Sequence, residues 1–451
     1  MKDKIFREYD IRGKYNEDLD NETAYKIGLG YGSYLQEHLN CKECVVGRDG
    51  RLSSNDLHEY LLKGLTETGL TVYDYGLITT PMHYYTRMVN NMLGIMITAS
   101  HNPKDENGFK FSFDKYANAR GKMVKEFASY INKGKFLKGE GKVINKDITE
   151  EYINYVISHI KLGKKRIKVV LDPANGAACN IAKEIYSKLN LDLIMINDTI
   201  DGNFPNHHPD PSIEENLDEL KKKVLETKAD IGISFDGDAD RIGIVDELGN
   251  MVSIESYAVI IVRNIIDKVK NKKFLYDAKS SDIFKDEVLR LKGTPVISRT
   301  ATSYTEYTIK KENIPFGFQY VGHISFNDRQ PSTESAMISS LRIIEILSKT
   351  DKTLSELIST VPKYFTSKEE RIPSKDETKY EVIKKIQKYC DEKKYKYMKI
   401  DGLKIIFKDG WAYVRASNTG PTINLRCESK NKKDLDNLLK IFRTLIDLYN
   451  K

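Results

Sequence analysis

The chain has 451 residues, 40% of them hydrophobic and 30% charged, which allows about three domains and several buried cores. Seventy-two basic and 65 acidic residues leave a formal net charge of +7, but the lysines are scattered through stretches such as Lys221-Lys-Lys223 and Lys384-Lys385; this excludes a concentrated nucleic-acid stripe and is compatible with phosphorylated small molecules. No apolar run approaches the ~18 residues of a membrane span, no signal peptide is expected, and an odd count of five cysteines points to a reducing cytoplasm.

The N-terminal segment Phe6-Arg-Glu-Tyr-Asp-Ile-Arg-Gly13 brings Tyr9 and Arg12 close together. Cys41-Lys-Glu-Cys44 is a lone pair of thiols, read as structurally incidental because no second pair completes a zinc site. Cys44-Val-Val-Gly-Arg-Asp49 reads as a short apolar strand ending in Asp, followed by a helical pattern over 56–68 and a second strand over 71–75. The same unit recurs at 167–172, 180–189 and 192–196, and again at 274–277, 282–291 and 294–297. Strand–helix–strand units of this kind predict parallel sheets with helical crossovers.

The apolar run Gly94-Ile-Met-Ile breaks at Thr98-Ala-Ser-His-Asn-Pro103. A buried strand is expected there, with the Ser100 hydroxyl lifted at its carboxyl end, where open α/β sheets bind ligands. No Gly-x-Ser-x-Gly elbow surrounds Ser100, which argues against a serine hydrolase. His207-His208 lies in a loop stiffened by Pro205, Pro209 and Pro211 and reads as structural, as does the turn over 172–176.

After an expected strand over 230–235, Asp236-Gly-Asp-Ala-Asp-Arg241 alternates carboxylates with small residues. Like charges at ~4 Å repel by roughly 4 kcal/mol at an effective dielectric near 20, so Asp236, Asp238 and Asp240 need a cation. Hard oxygen ligands favour Mg²⁺ when a phosphate oxygen completes the shell. An EF-hand calcium loop is the competitor, with Glu247 at its last acidic position; Arg241 stands where that loop requires glycine. The Arg241 fork suits a phosphoryl group beside the metal.

Pro362 and Pro373 bracket a polar stretch that reads as a hinge, followed by a helix, a strand pair and a final helix with apolar Leu435, Leu438, Leu439, Phe442, Leu445, Ile446 and Tyr449. Between strands at 411–414 and 422–426 lies Arg415-Ala-Ser-Asn-Thr-Gly-Pro421. Its guanidinium, hydroxyls and turn amides suit a phosphate dianion, with a plain β-turn as the other reading. The expected fold class is α/β: three related α/β domains with mainly parallel mixed sheets (1–145, 146–250 and 251–362) and a C-terminal α+β domain (363–451).

On the segments at 6–13, 98–103, 236–241 and 415–421, the chain resembles the α-D-phosphohexomutases, the family of phosphoglucomutases and phosphomannomutases. The resemblance spans essentially the whole sequence and implies the same four domains arranged around a central cleft. It implies that Ser100 carries a phosphoryl group and joins Asp236, Asp238 and Asp240 as a metal ligand. Lys110 becomes a proton shuttle or electrostatic stabiliser, His101 positions the loop, and Arg12 and Arg241 serve catalysis. Arg415, Ser417, Asn418 and Thr419 grip the non-reacting phosphate, and Tyr9 lines the cleft. The expected cofactors are Mg²⁺ and a hexose 1,6-bisphosphate; the expected partners are sugar phosphates, with neither nucleic acid nor membrane, for a monomer or homodimer.

The sugar loop departs from the family. Members carry Gly-Glu-x-Ser-Gly-His, whereas this chain has Phe318-Gln-Tyr-Val-Gly-His323. Gln319 replaces the acid and Val321 removes the hydroxyl, while His323 remains; upstream, Ser303-Tyr304 stands for a Gly-His pair. Sugar contacts are therefore expected from Tyr9, Ser303, Tyr304, Gln319, Val321 and His323. The resemblance implies interconversion of glucose or mannose 1- and 6-phosphates, with phosphoglucosamine mutase and a catalytically weak sugar-phosphate-binding protein as alternatives. Thr98 leans toward the glucose and mannose branches.

Overall fold

The structure, a computed structural model, describes residues 1–331, 333–417 and 420–450. Four sheets follow one another along the chain. The first runs in the order Ile11–Lys14, Glu106–Phe111, Gly94–Ile97, Glu43–Arg48, Thr71–Leu77 and Lys142–Asn145. Its centre is parallel, and Glu106–Phe111 and Ile11–Lys14 add antiparallel strands at one edge. The second sheet is ordered Ile242–Asp246, Ile231–Phe235, Ile167–Asp172 and Leu191–Met195. The third is ordered Thr294–Ser298, Lys273–Asp277, Phe316–Phe318, Ile324–Phe326 and Thr333–Glu334.

The three repeated units form as parallel pairs: Glu43–Arg48 with Thr71–Leu77, Ile167–Asp172 with Leu191–Met195, and Lys273–Asp277 with Thr294–Ser298. Their crossover helices are Ser54–Thr66, Cys179–Ser187 and Asp282–Arg290. The apolar strands explain the arrangement. Val45, Val46, Val169, Val170, Leu171, Phe274 and Leu275 are all buried, as strands covered on both faces require.

The C-terminal sheet is antiparallel, ordered Phe365–Thr366, Thr422–Ser429, Gly410–Ala416, Leu403–Phe407 and Lys396–Lys399, with Glu370–Pro373 also paired to Thr422–Ser429. The polar stretch expected as a hinge thus contributes two short edge strands. Pro373 is tolerated because an edge strand leaves one row of backbone groups unpaired. Helix Lys432–Tyr449 lays Leu435, Leu438, Phe442, Leu445 and Ile446 on this sheet.

One hydrophobic core runs from Val45 and Met96 of the first sheet through Val169, Leu171 and Ile233 of the second to Phe316 of the third and Leu341 on helix Ala336–Leu347. The C-terminal sheet keeps a core of its own, around Ile405, Val414, Leu425 and Phe442. A small apolar cluster, Ala278 with Trp411 and Tyr413, joins it to the third unit. Three sheets are therefore welded and the fourth is docked. No helix among the described residues is long and apolar enough to cross a membrane, and all five cysteines are free.

Candidate active site

The loops at the carboxyl ends of Gly94–Ile97, Ile231–Phe235, Phe316–Phe318 and Gly410–Ala416 carry the residues that converge here. Ser100 follows the first of them in a left-handed conformation, φ +54°. The Thr98 hydroxyl accepts its N–H at 2.8 Å, and the N–H of Asn102 closes on the Ala99 carbonyl at 2.9 Å. Buried Arg51 fastens the turn by donating to four carbonyls, those of Ser100, Asn102 and Pro103 at 2.7 Å and Glu106 at 3.1 Å. Ser100 is 1% exposed. Its hydroxyl donates to Asp236 Oδ2 at 2.5 Å and lies 3.2 Å from His101 Nδ1.

The loop at 236–241 folds on itself, with Asp236 Oδ1 accepting the N–H groups of Asp240 and Arg241, each at 3.0 Å. Gly237 permits the approach to the serine turn: a Cβ there would lie 2.6 Å from the Ser100 carbonyl oxygen. Asp238 Oδ2 accepts from the Thr80 and Thr98 hydroxyls at 2.6 and 3.1 Å. Lys110 Nζ bridges Asp238 Oδ2 at 2.7 Å and Asp240 Oδ2 at 2.6 Å.

Asp236, Asp238 and Asp240 are buried and can offer ligand atoms within 4.8 Å of one another. Asp238 Oδ1 and Asp240 Oδ1 have no hydrogen-bond partner among the described residues. Three carboxylates face one ammonium, so burial and then the charges of Asp238 and Asp240 push the Asp236 carboxyl well above its usual range. Two orphaned hard oxygens in an over-acidic pocket fit a divalent cation. Burial disfavours the Lys110 charge, but Asp238 and Asp240 outweigh it and hold that pKa well above the ordinary value.

Arg12 donates from Nε to Asp10 at 2.7 Å and from Nη1 to the Ala99 carbonyl and Asn102 Oδ1, at 3.0 and 2.7 Å. Arg241 Nε donates to His323 Nε2 at 2.9 Å. Because arginine only donates, the neutral His323 ring carries its proton on Nδ1, which faces Asp240 Oδ1 at 3.3 Å and Glu334 Oε2 at 3.7 Å. Burial, then Arg241, depresses the pKa values of both His323 and His101 well below the usual histidine range, with Lys110 adding to the first and Arg12 to the second. Burial and then Asp10 raise the pKa of half-buried Tyr9, against the pull of Arg12, Arg415 and Arg241.

The third and fourth units close the surroundings. Gln319 is buried, and its Nε2 has no hydrogen-bond partner among the described residues. Val321 is half-buried. Ser303 lies inside helix Thr302–Glu312, against a water-sized cavity of about 10 Å³ shared with Tyr84 and Arg87. The hydroxyl of Tyr304 donates to Glu8 Oε1 at 2.9 Å. Arg415 and Ser417 are buried at the end of Gly410–Ala416, and Lys379 Nζ pins the loop by donating to the carbonyls of Ser417 at 2.6 Å and Gly420 at 3.1 Å. Asn418 and Thr419 lie outside the described residues. His207 Nε2 lies 2.8 Å from Asp172 Oδ2, and His207 joins no metal cluster among the described residues. Glu247, the last acid of the EF-hand alternative, instead accepts from the N–H and hydroxyl of Ser355, away from the aspartate cluster.

Arg51, Thr80 and Lys379 escaped sequence reasoning. Arg51 had a signal, since it follows the strand Glu43–Arg48 directly in Gly-Arg-Asp-Gly-Arg51. Thr80 and Lys379 sit at helix starts far away in sequence and had none.

Four family models match in order. They are the phosphoglucomutase/phosphomannomutase alpha/beta/alpha domains I, II and III over residues 3–138, 150–249 and 254–364, and the C-terminal domain over 369–445. A phosphomannomutase/phosphoglucomutase of Pseudomonas putida is 34% identical over 447 residues, covering 98% of this chain and 96% of that one. A phosphoglucomutase of Neisseria gonorrhoeae and a phosphomannomutase of Methanocaldococcus jannaschii are each 32% identical over 98% of this chain, and over 96% and 97% of their own lengths. The crystal structure of a phosphoglucomutase/phosphomannomutase family protein from Burkholderia thailandensis superposes with a TM-score of 0.92 at 29% identity, covering 100% and 98% of the two chains. An Aspergillus fumigatus N-acetylphosphoglucosamine mutase, solved with GlcNAc-6P and magnesium, shares the fold at a TM-score of 0.64 and 14% identity, over 98% of this chain and 95% of that one.

Proposed function

The chain belongs to the phosphoglucomutase/phosphomannomutase family of phosphotransferase mutases, and from that premise we propose that Ser100 carries the phosphoryl group between the two ends of a hexose phosphate. The observation that carries this reading is the position of the Ser100 hydroxyl, 2.5 Å from Asp236 and backed by His101, at the rim of the aspartate cluster.

Phosphorylated Ser100 donates to the free hydroxyl of a hexose 1- or 6-phosphate. The Oγ–P bond breaks as the bond from phosphorus to the sugar oxygen forms, and the proton of the sugar hydroxyl ends on the departing Oγ, giving a hexose 1,6-bisphosphate and a free serine. That intermediate turns over and returns its other phosphate: the Oγ–P bond re-forms as the sugar O–P bond breaks, and the Ser100 proton, taken up by Asp236 Oδ2, ends on the freed sugar oxygen. Lys110, whose Nζ bridges Asp238 and Asp240 at 2.7 and 2.6 Å, acts as an electrostatic stabiliser of the transferring group. Arg12 and Arg241 face the developing charge with guanidinium forks. Asp236, Asp238 and Asp240 would hold Mg²⁺, which when bound supplies positive charge against the phosphoryl oxygens. Arg415 and Ser417, with Asn418 and Thr419, grip the phosphate that is not reacting; one cradle serves both orientations because each end of the bisphosphate presents the same dianion. Free thiols, four of the five buried, fit a cytoplasmic enzyme.

Glucose and mannose phosphates are the proposed substrates, in keeping with relatives named for each sugar. Intact-mass measurement and phosphosite mapping during turnover, with glucose, mannose and glucosamine 1-phosphates assayed side by side, test the reading. A phosphoryl group on Ser100 that exchanges with substrate is expected. A serine that stays unmodified through steady turnover overturns it, and a preference for the amino sugar overturns the choice of substrate alone.

A further inference from the structure

Two arginines of different domains share one carboxylate. Arg415 Nε lies 2.8 Å from Asp401 Oδ2, and Arg299 Nη2 lies 3.3 Å from Asp401 Oδ1. Arg415 stands on strand Gly410–Ala416 of the docked C-terminal sheet, whereas Arg299 follows strand Thr294–Ser298 of the third. Asp401 occupies the turn between Lys396–Lys399 and Leu403–Phe407, at φ +49° with Gly402 at +139°. That turn is rigid. The Tyr413 hydroxyl donates to the carbonyls of Ile400 and Asp401 at 3.0 and 3.1 Å, and a Cβ on Gly402 would lie 2.6 Å from the Val414 oxygen. Arg299 continues the chain of contacts: its guanidinium stands 4.5 Å from the Tyr304 ring centre, and Tyr304 donates to Glu8 of the first domain. A cavity of about 490 Å³ opens beside Arg299, Tyr304, Lys399 and Asp401, at the seam between the third and fourth domains.

We propose that Asp401 is a positioning residue for phosphate binding, holding the Arg415 guanidinium in place and, through Arg299, tying that placement to the seating of the C-terminal domain. The inference rests on the reading that Arg415 grips the non-reacting phosphate. Its physical basis is that one carboxylate keeps two guanidinium groups from repelling each other. An amide at 401 has one acceptor oxygen instead of two and no charge, so the hold on one arginine is lost and the repulsion between the two guanidinium groups is less well offset, Glu8 at 3.9 Å from Arg299 Nη2 being the acid that remains beside Arg299. The freed arginine regains rotamer freedom that phosphate binding must again remove. Loss of the negative charge alone would favour a phosphate dianion, so a purely electrostatic role predicts the opposite sign.

Asp401→Asn keeps the side-chain size and suits the left-handed backbone. It is expected to raise KM for glucose 1-phosphate about tenfold while kcat stays within about threefold. Adding Arg299→Gln removes one of the repelling charges and is expected to bring KM back toward the starting value, which a merely structural role for Asp401 would not produce. An unchanged or lowered KM in Asp401→Asn, or a double variant worse than the single one, overturns the inference. Should Asp401→Asn lose its melting transition, Arg299→Gln alone serves, because Arg299 is 42% exposed; a KM rise of about threefold is expected, and no rise overturns the inference. Arg415→Met separates the two readings. If its KM is unchanged, the assignment of Arg415 to the phosphate fails; if it rises while Asp401→Asn has no effect, only the role of Asp401 fails.

Discussion

The hydroxyl of Ser100 and the carboxylate of Asp236 meet across 2.5 Å, from loops 136 residues apart in sequence and on different sheets. On the proposed reading, this bond joins the group that receives phosphate to the cluster that manages its charge. The first two domains are held in register around it by Lys110, which reaches across the same boundary to Asp238 and Asp240.

Ser100→Ala should therefore remove turnover without unfolding the chain. A fall in kcat of at least about a thousandfold is expected, since no neighbouring oxygen can replace the nucleophile. The lost bond to a buried carboxylate costs about 1–3 kcal/mol, so the melting temperature should drop by no more than several degrees. An alanine variant that still interconverts hexose phosphates would remove serine from the chemistry.

The orphaned oxygens of Asp238 and Asp240 make metal binding a stability statement. A cation that binds only the folded chain stabilises it by about 2.7 kcal/mol at a hundredfold excess over Kd. Calorimetry should show the melting temperature rising with added Mg²⁺ and falling back with chelator. Asp238→Asn should abolish the shift. A shift of equal size in the variant would place the cation elsewhere.

The placement of these residues shows what sequence can and cannot reveal. Ser100 and the run from Asp236 to Arg241 were legible because each sits where an apolar strand abruptly turns polar, and the three strand–helix–strand units were legible from their spacing. Lys379 acts by donating to main-chain carbonyls of a remote loop, a role that leaves no mark on the sequence, whereas Arg51, which does the same for the serine turn, was marked only by its place after a strand. The segments Phe365–Thr366 and Glu370–Pro373 looked like a hinge because edge strands tolerate polar residues and proline; only their partner, Thr422–Ser429, reveals them. The continuity of one core through three domains was equally invisible, since it depends on which outer faces meet.

Gln319 stands where relatives of this family are expected to carry an acid, and its buried amide nitrogen has no partner among the described residues. A sugar hydroxyl or ring oxygen accepting from that nitrogen would satisfy it. Removing a contact of this kind costs about 1–3 kcal/mol. Gln319→Ala should thus raise KM for hexose phosphates by about tenfold or more while leaving phosphorylation of Ser100 intact. Steady-state kinetics alongside intact-mass analysis check both halves. Unaltered KM values for glucose and mannose phosphates would exclude Gln319 from sugar recognition.

The seam between the third and fourth domains should weaken as pH rises. Glu428, buried on strand Thr422–Ser429, accepts at Oε1 from Trp411 Nε1 and from the N–H of Asp282, each at 2.9 Å, the latter at the start of helix Asp282–Arg290 in the third domain. Lys404 lies alongside, 3.3 Å from Asp282 Oδ1 and 4.3 Å from the Trp411 ring centre. Burial pushes the Glu428 carboxyl up to about 7, against the pull of Ser281 and the Asp282 N–H. The folded chain therefore binds this proton more tightly than the unfolded chain does. The stabilisation, roughly 3 kcal/mol, is fully present below about pH 4, falls to about 1 kcal/mol at pH 6 and is gone near pH 8. Glu428→Gln keeps the Oε1 acceptor and cannot ionise. Melting temperatures should fall further between pH 6 and 8 in the parent chain than in Glu428→Gln, by about one degree; parallel profiles would mean that Glu428 is already ionised in its buried site.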